Sequence, residues 1–532
     1  MTQKKQTFLH GTMLLALSTA IVKVIGAFYS IPLKQIIGDQ SFGYYSTAYE
    51  IYTLLLMIST AGLPVAMSRM ISQECSLGHY RQMRKIYAVS RGIFLGLGIV
   101  GTLLMTVFCR QLASFQEQPD AWAAIGTLGP CCLFICLMST YRGFFQGQSN
   151  MKPTSVSQVI EAFVKLFIGL GAALLLVNYT DERALPAAGA IFGVTLSCVV
   201  SSVYLKLCFQ KAYRDIPITN EPVSSGKEIA KGLLAIAIPI TIGAAGLQIL
   251  TVLETKIYMS RLLETLTQNQ ADIQKGIYNF TQKIFNMPCA FITPITISVI
   301  PAITAQLTTA DTAGAKATEE SAARITGLIS APCAIGLFVL AEPITALLGG
   351  YTGERLELAT KLMSVLGLCV LFNGTVLFTN AVMQAHGHVV LPVVNMLIGG
   401  LLKLLVIFLL AGNPHIGILG TPLGSLLCYL TITVLNLISI RRIFPHPPAL
   451  LKNLAKSLMA SLIMGVATYG TLQGLLYVSG GNLSRIVSCA APILVAVPVY
   501  LFSAVKMRAI TYDDCLLLPK GEKIAKLLKI SK

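Results

Sequence analysis

Charge is what this 532-residue chain has least of: Asp, Glu, Lys and Arg together make up 12%. A soluble domain carries about a quarter. Because 54% of the residues are hydrophobic, a water-soluble globule is excluded and an integral membrane protein is implied. Acidic residues are the scarcer sign, 23 against 40 Lys and Arg, for a formal net charge of +17. The basic residues fall in short clusters between apolar runs, so nucleic acid is not an expected partner and anionic membrane lipids are. There is no P-loop and no Ser/His/Asp set or metal-ligand spacing, so neither an enzyme nor a cofactor or metal is expected. His386-Gly387-His388 reads as a loop. No small-residue cleavage site follows a short apolar core near the N-terminus, so the first apolar run is expected to stay as a span. Cysteine is present, 13 residues, but Cys131, Cys132, Cys136, Cys198, Cys333, Cys369 and Cys428 lie inside apolar runs. There they read as small buried hydrophobes rather than disulfide or metal partners.

What is there is a series of long apolar runs. A spanning helix needs about 20 mainly apolar residues. On that measure the spans are 10–37, 44–73, 86–109, 121–147, 153–178, 185–209, 229–262, 276–307, 321–348, 356–385, 389–411, 416–440, 453–478 and 483–506. The fold expected is therefore all-α, a polytopic membrane protein of about fourteen transmembrane helices. Alternate loops collect the Lys and Arg: Arg81, Arg84 and Lys85, then Lys206, Lys211, Arg214, Lys227 and Lys231, then Arg441, Arg442 and Lys452. The opposite loops hold little beyond Arg110, Arg183, Lys275, Arg355 and Arg485. The bias predicts that both termini lie in the cytoplasm. The ending "GEKIAKLLKISK" spaces its lysines around Ile524, Leu527, Leu528 and Ile530, as a basic amphipathic helix on the inner leaflet or a solvated tail would.

The chain also repeats itself. "FFQGQSNMKPTSVSQVIEAFVKL" (144–166) resembles "VMQAHGHVVLPVVNMLIGGLLKL" (382–404), with Gln146 on Gln384 and Lys165 on Lys403, both 238 apart. Pro64 and Pro301 fit nearly the same offset, 237. About six helices make one copy, and each copy starts from the same side, so the copies are parallel repeats. The division expected is a six-helix lobe 1–212, a cytoplasmic linker 213–228, a second six-helix lobe 229–442, two additional helices 443–508 and a basic cytoplasmic tail 509–532. Pro64 and Pro301 are candidate hinges or fixed kinks at equivalent places, suited to two lobes rocking about a central cavity.

Ionisable residues deep in the spans are candidate cavity residues. Lys23 is the deepest, about thirteen residues and some 20 Å of helix from either end. Glu161 and Lys165 are mid-span, four apart, and so face each other as a structural pair or line a cavity. Lys403 is mid-span without such a neighbour; Glu254 and Lys256 are in the outer part of the seventh span; Glu50 and Lys283 lie near the outer ends of the second and eighth. Arg69 is near a span end and reads as a head-group anchor.

"GAFYSIPLKQIIGDQSFGYYSTAYEIYTLLLMISTAGLPVAMSRMISQ" (26–73), "MPCAFITPITISVIPAITAQL" (287–307) and the paired "FFQGQ…KP" and "MQAHG…LP" segments carry a family likeness. They resemble the stage V sporulation protein B and polysaccharide-biosynthesis branch of the multidrug/oligosaccharidyl-lipid/polysaccharide flippase superfamily. The resemblance implies two lobes around a V-shaped cavity in a bacterial cytoplasmic membrane, alternating access, and undecaprenyl-pyrophosphate-linked sugars, lipid II among them, as substrates. It links the sporulation branch to the spore cortex, and leaves cell-wall synthesis enzymes open as partners. In the related lipid II flippases, basic residues of the first and eighth helices line the cavity; by motif position these are Lys23, before Gly26, and Lys283, five before Pro288. Lysine in place of arginine keeps the charge and loses the planar fork. Tyr29 and Ser30 stand where an Arg-Asp pair is common in that group, a departure that bears on which lipid is carried. Two alternatives stay open at this point: a multidrug or cation antiporter of the same fold, and a non-transporting scaffold for wall synthesis.

Overall fold

The computed structural model describes residues 8–217, 219–444, 447–480 and 483–511. All regular structure among them is helical. The helices are α1 (Phe8–Thr60), α2 (Leu63–Leu77), α3 (Tyr80–Val107), α4 (Cys109–Phe115), α5 (Trp122–Gly147), α6 (Lys152–Tyr179), α7 (Ala184–Arg214) and α8 (Gly226–Leu262). There follow α9 (Gln268–Thr308), α10 (Thr312–Val339), α11 (Ala341–Gly349), α12 (Gly353–Ala385), α13 (Val390–Ala411), α14 (Gly420–Ile443), α15 (Leu450–Val478) and α16 (Arg485–Lys506). A 3-10 turn at Pro119–Ala121 joins α4 to α5.

Among the described residues twelve helical stretches are long and apolar enough to cross a membrane. The first two expected spans run together as α1, which breaks helical geometry at Gly38 (φ 75°, ψ 175°). That positive φ is open to glycine and strained for other residues. The expected eighth span, 276–307, falls within α9, whose first turns carry the polar side chains of Gln268, Asp272, Lys275 and Asn279. Pro64 lies in the first turn of α2, after the chain has already left the helix at Ala61–Gly62. It therefore starts a helix, where its missing N–H costs nothing, instead of kinking one. Pro301 falls within α9, and its side chain lies outside those described. So do residues 512–532 of the expected tail.

The helices form two compact units, 1–279 and 280–532, with the dividing point inside α9. In the first, α3 and α7 both pack on α5, α6 packs on α7, and α1 lies against α6 and α8. In the second, α10 and α14 both pack on α12, and α13 packs on α14, while α15 joins α10 and α16. The sets α3–α5–α7–α6 and α10–α12–α14–α13 thus follow one packing order, and Lys165 on α6 corresponds to Lys403 on α13. A buried cluster of Phe378, Val382, Met383, Ile440 and Phe444 holds one end of the second unit together.

Candidate functional site

Burying a polar side chain in a membrane helix is costly unless hydrogen bonds satisfy it. The first unit buries such side chains at the end remote from the Lys/Arg-rich loops. There the part of α1 beyond Gly38 and the turn between α4 and α5 meet the last turns of α8 and the first turns of α9. The approach is close: a Cβ on Gly276 would lie 1.8 Å from the Asp39 carbonyl oxygen, so only glycine fits.

Asp272, 1% exposed, is the hub. Its Oδ1 accepts from Gln118 Nε2 at 2.8 Å and from Gln268 Nε2 at 3.0 Å, and its Oδ2 from the Tyr44 hydroxyl at 2.9 Å. Tyr44 in turn accepts from Gln40 Nε2 at 2.7 Å, with Asp120 Oδ2 3.3 Å away. Lys275 is fully buried; its ammonium donates to the Thr47 hydroxyl, which donates to Gln118 Oε1. Asp272 and Glu50 are the carboxylates whose charge acts on that ammonium. Arg183 reaches the same region, donating to Asn269 Oδ1 at 3.2 Å and to Gln40. The network ties α1 and the α4–α5 turn to α8 and α9 through side chains, with Gln268 Nε2 also donating to the Glu117 carbonyl oxygen at 2.7 Å.

The residues singled out from the sequence distribute around this network and below it. Glu50 accepts from the Thr255 hydroxyl at 2.7 Å, and buried Glu254 from the Tyr278 hydroxyl at 3.3 Å. Lys256 pairs with Glu117, whose carboxylate also accepts from Ser260 at 3.2 Å. Glu161 and Lys165 do not serve each other as the four-residue spacing suggests. Glu161 pairs with Arg142 of α5 at 3.1 Å, a longer-range partner that spacing along one helix does not reveal. Lys165 instead donates to the Tyr49 hydroxyl at 3.4 Å and lies 4.7 and 5.1 Å from the Tyr49 and Tyr29 ring centroids, a cation–π setting for an ammonium in low dielectric. In the second unit Lys283 and Lys403 are half-buried, the Lys403 stem lying against Gly424 of α14. Lys23 falls on α1 and its side chain is outside those described.

Tyr44, Gln118, Asp272 and Lys275 were not legible as site residues; Lys275 counts as a loop residue when spans are cut by hydropathy. One signal was available. Gln268, Asp272, Lys275, Asn279 and Gln282 recur at steps of four and three, a polar stripe on one helix face.

A family description, polysaccharide biosynthesis protein, matches residues 8–306, more than half of the chain. The chain belongs to this family. Full-length relatives agree. Stage V sporulation protein B of Bacillus subtilis (strain 168) is 26% identical over 97% of this chain and 98% of its own. Lipid II flippase MurJ of the same organism is 25% identical over 86% of this chain and 87% of its own. A solved structure of lipid II flippase MurJ, in an inward closed conformation, superposes with a TM-score of 0.70 over 93% of this chain and 99% of that one, at 14% identity. The fold is therefore that of the multidrug/oligosaccharidyl-lipid/polysaccharide flippase superfamily, and the chain is a multi-pass membrane member of its sporulation and polysaccharide branch.

Proposed function

We propose that the chain is a flippase carrying an undecaprenyl-pyrophosphate-linked sugar, lipid II or a related peptidoglycan or polysaccharide precursor, from the inner to the outer leaflet by alternating access. The observation that carries the reading is the similarity over 97% of the chain to a stage V sporulation protein B, joined by that to a lipid II flippase over 86%. The first of these names speaks for a role in sporulation, and a spore-cortex precursor is the cargo that the branch resemblance adds to it. The basic loops and both termini then face the cytoplasm of a bacterial cell.

Chemistry supports the same cargo. The head group is a diphosphate, and Lys23 and Lys283, which match the cavity-lining basic positions of the related flippases by motif, are assigned the role of drawing it in as point charges. Glu50, Glu254, Lys256, Glu161, Lys165 and Lys403 shape the electrostatics around it. Outward movement of negative charge runs with an inside-negative potential, at about 2.3 kcal/mol per charge per 100 mV. The Asp272 network acts as the outer latch: it must part for the head group to leave. Each of its hydrogen bonds is worth about 0.5–1.5 kcal/mol net. Substrate binding can meet that cost, since about 5.5 kcal/mol of differential affinity moves a two-state balance from 1:99 to 99:1.

Proteoliposomes carrying labelled lipid II or another undecaprenyl-linked glycan test the reading by head-group accessibility. Cation-coupled dye efflux without glycolipid flipping would support the antiporter instead, and no transport of either would leave a scaffold.

A further inference from the structure

A cavity with two basic side chains in its lining lies at each of the two linkers that follow α7 and α14. In the first unit the linker is tied back to the start of α3. The Glu221 carboxylate accepts from the backbone N–H of Arg81 at 2.6 Å and of Gln82 at 3.1 Å, and Gln82 Oε1 accepts from Ser224 N–H at 3.0 Å. Under this strap is a cavity of about 330 Å³ lined by Arg81, Arg84, Pro217, Thr219 and Asn220. In the second unit the chain after α14 passes Pro447 and Pro448, and Ala449 N–H donates to Glu320 Oε1 of α10 at 3.0 Å. A cavity of about 280 Å³ lies there, with Arg441 and Lys452 in its lining beside Ile440, Pro448 and Leu450.

The shared logic is in the charges. Each strap has a carboxylate close by: Glu221 accepts from two backbone N–H groups and Glu320 from one. Arg81, Arg84, Arg441 and Lys452 make no ion pair among the described residues. Arg84 is held by the Ile216 carbonyl, to which it donates at 2.7 Å, and by the Tyr213 ring 4.7 Å away, so its guanidinium is fixed without being neutralised. Each cavity is several times the roughly 30 Å³ that a water occupies in the liquid. Each also opens where the apolar run of a spanning helix ends, the depth at which lipid phosphates lie.

We propose that both cavities bind a phosphate group, that of an anionic lipid head group, and that the bound lipid fastens each linker to its helix end. The inference does not depend on what the protein transports. Soluble phosphate offers the same charge, and the test separates the two sources. Full-length protein stripped of lipid is examined by native mass spectrometry with phosphatidylglycerol, with phosphatidylcholine, and with phosphatidylglycerol plus inorganic phosphate. The expected result is retention of up to two phosphatidylglycerols per chain, preferred over phosphatidylcholine by roughly tenfold or more, as two basic side chains at head-group depth supply. Arg81→Gln removes one of them, Lys452→Gln the other, and the double variant both. Displacement by inorganic phosphate would keep the phosphate sites and overturn the lipid as their ligand. Equal retention of the two lipids by the unaltered protein, or undiminished phosphatidylglycerol on the double variant, would overturn the proposal. The lipid comparison on the unaltered protein stands even where a variant fails to fold.

Discussion

Asp272 shows how much one membrane carboxylate can hold. It receives hydrogen bonds from Tyr44, Gln118 and Gln268, and its charge acts on the buried Lys275. Asp272→Ala leaves these donors without an acceptor, at about 1–3 kcal/mol of buried polar cost. If the network is a latch, that loss loosens α8 and the first turns of α9 before it unfolds the protein. Hydrogen exchange of residues 265–279 should accelerate about 5–150-fold, the range for a coupling of 1–3 kcal/mol, with α5 and α12 unchanged. Exchange at the wild-type rate would remove the latch from the account. At this scale the sequence marked only charges deep inside apolar runs. Glu50, Glu254 and Lys256 were visible because hydrocarbon makes a charge conspicuous. Tyr44 and Gln118 were not, because neutral polar residues near a span end look like loop residues until the structure buries them.

At the scale of elements, most of the helices were legible and their joints were not. Apolar runs of spanning length located α3, α5, α6, α7 and α12–α16 within a few residues. Hydropathy carries no record of Gly38's positive φ, so two spans became one bent α1. Nor does it register that Pro64 is the second residue of a new helix, after α1 has ended at Thr60. Gly276 is a joint of another kind. Gly276→Ala places a methyl group against the Asp39 carbonyl and should cost about 1–3 kcal/mol, as overpacking does. Gly96→Ala on α3, where no atom lies within 4 Å of the new Cβ, should be neutral or stabilising. Thermal unfolding in detergent compares the two; equal midpoints would contradict the close approach. The strap on α3 responds to acid. Desolvation, the largest single influence, raises the Glu221 carboxyl, but bonds from the Thr219 hydroxyl and from the N–H groups of Glu221, Gln82 and Arg81 together outweigh it and hold the pKa down at about 2. A depressed carboxylate contributes stability that is complete above its ordinary value near 4.5 and is lost as the pH falls toward 2. Relative to an unstructured peptide of the same sequence at each pH, pepsin should therefore cut residues 219–225 more readily at pH 2 than at pH 4.5, and Glu221→Gln should remove that relative difference.

For the whole molecule, the repeat was the most informative pattern in the sequence. The residues it aligns, Lys165 and Lys403, fall on α6 and α13, which hold matching places in the two packing orders. Charge asymmetry predicts a side for the loops, and the family likeness is the ground on which a cargo is proposed. The account's central claim is that ammonium groups at bilayer depth receive a lipid-linked diphosphate. Removing one, as in Lys23→Ala or Lys283→Ala, should cost about 1.5–3 kcal/mol of charge-assisted bonding, or roughly 10–150-fold in flipping rate at 1.4 kcal/mol per factor of ten. The decisive measurement is the rate at which labelled lipid II or another undecaprenyl-linked glycan becomes accessible outside proteoliposomes. The account predicts protein-dependent flipping that slows by that factor in Lys23→Ala and Lys283→Ala. Flipping undiminished in both variants, or absent with every undecaprenyl-linked glycan, would contradict it.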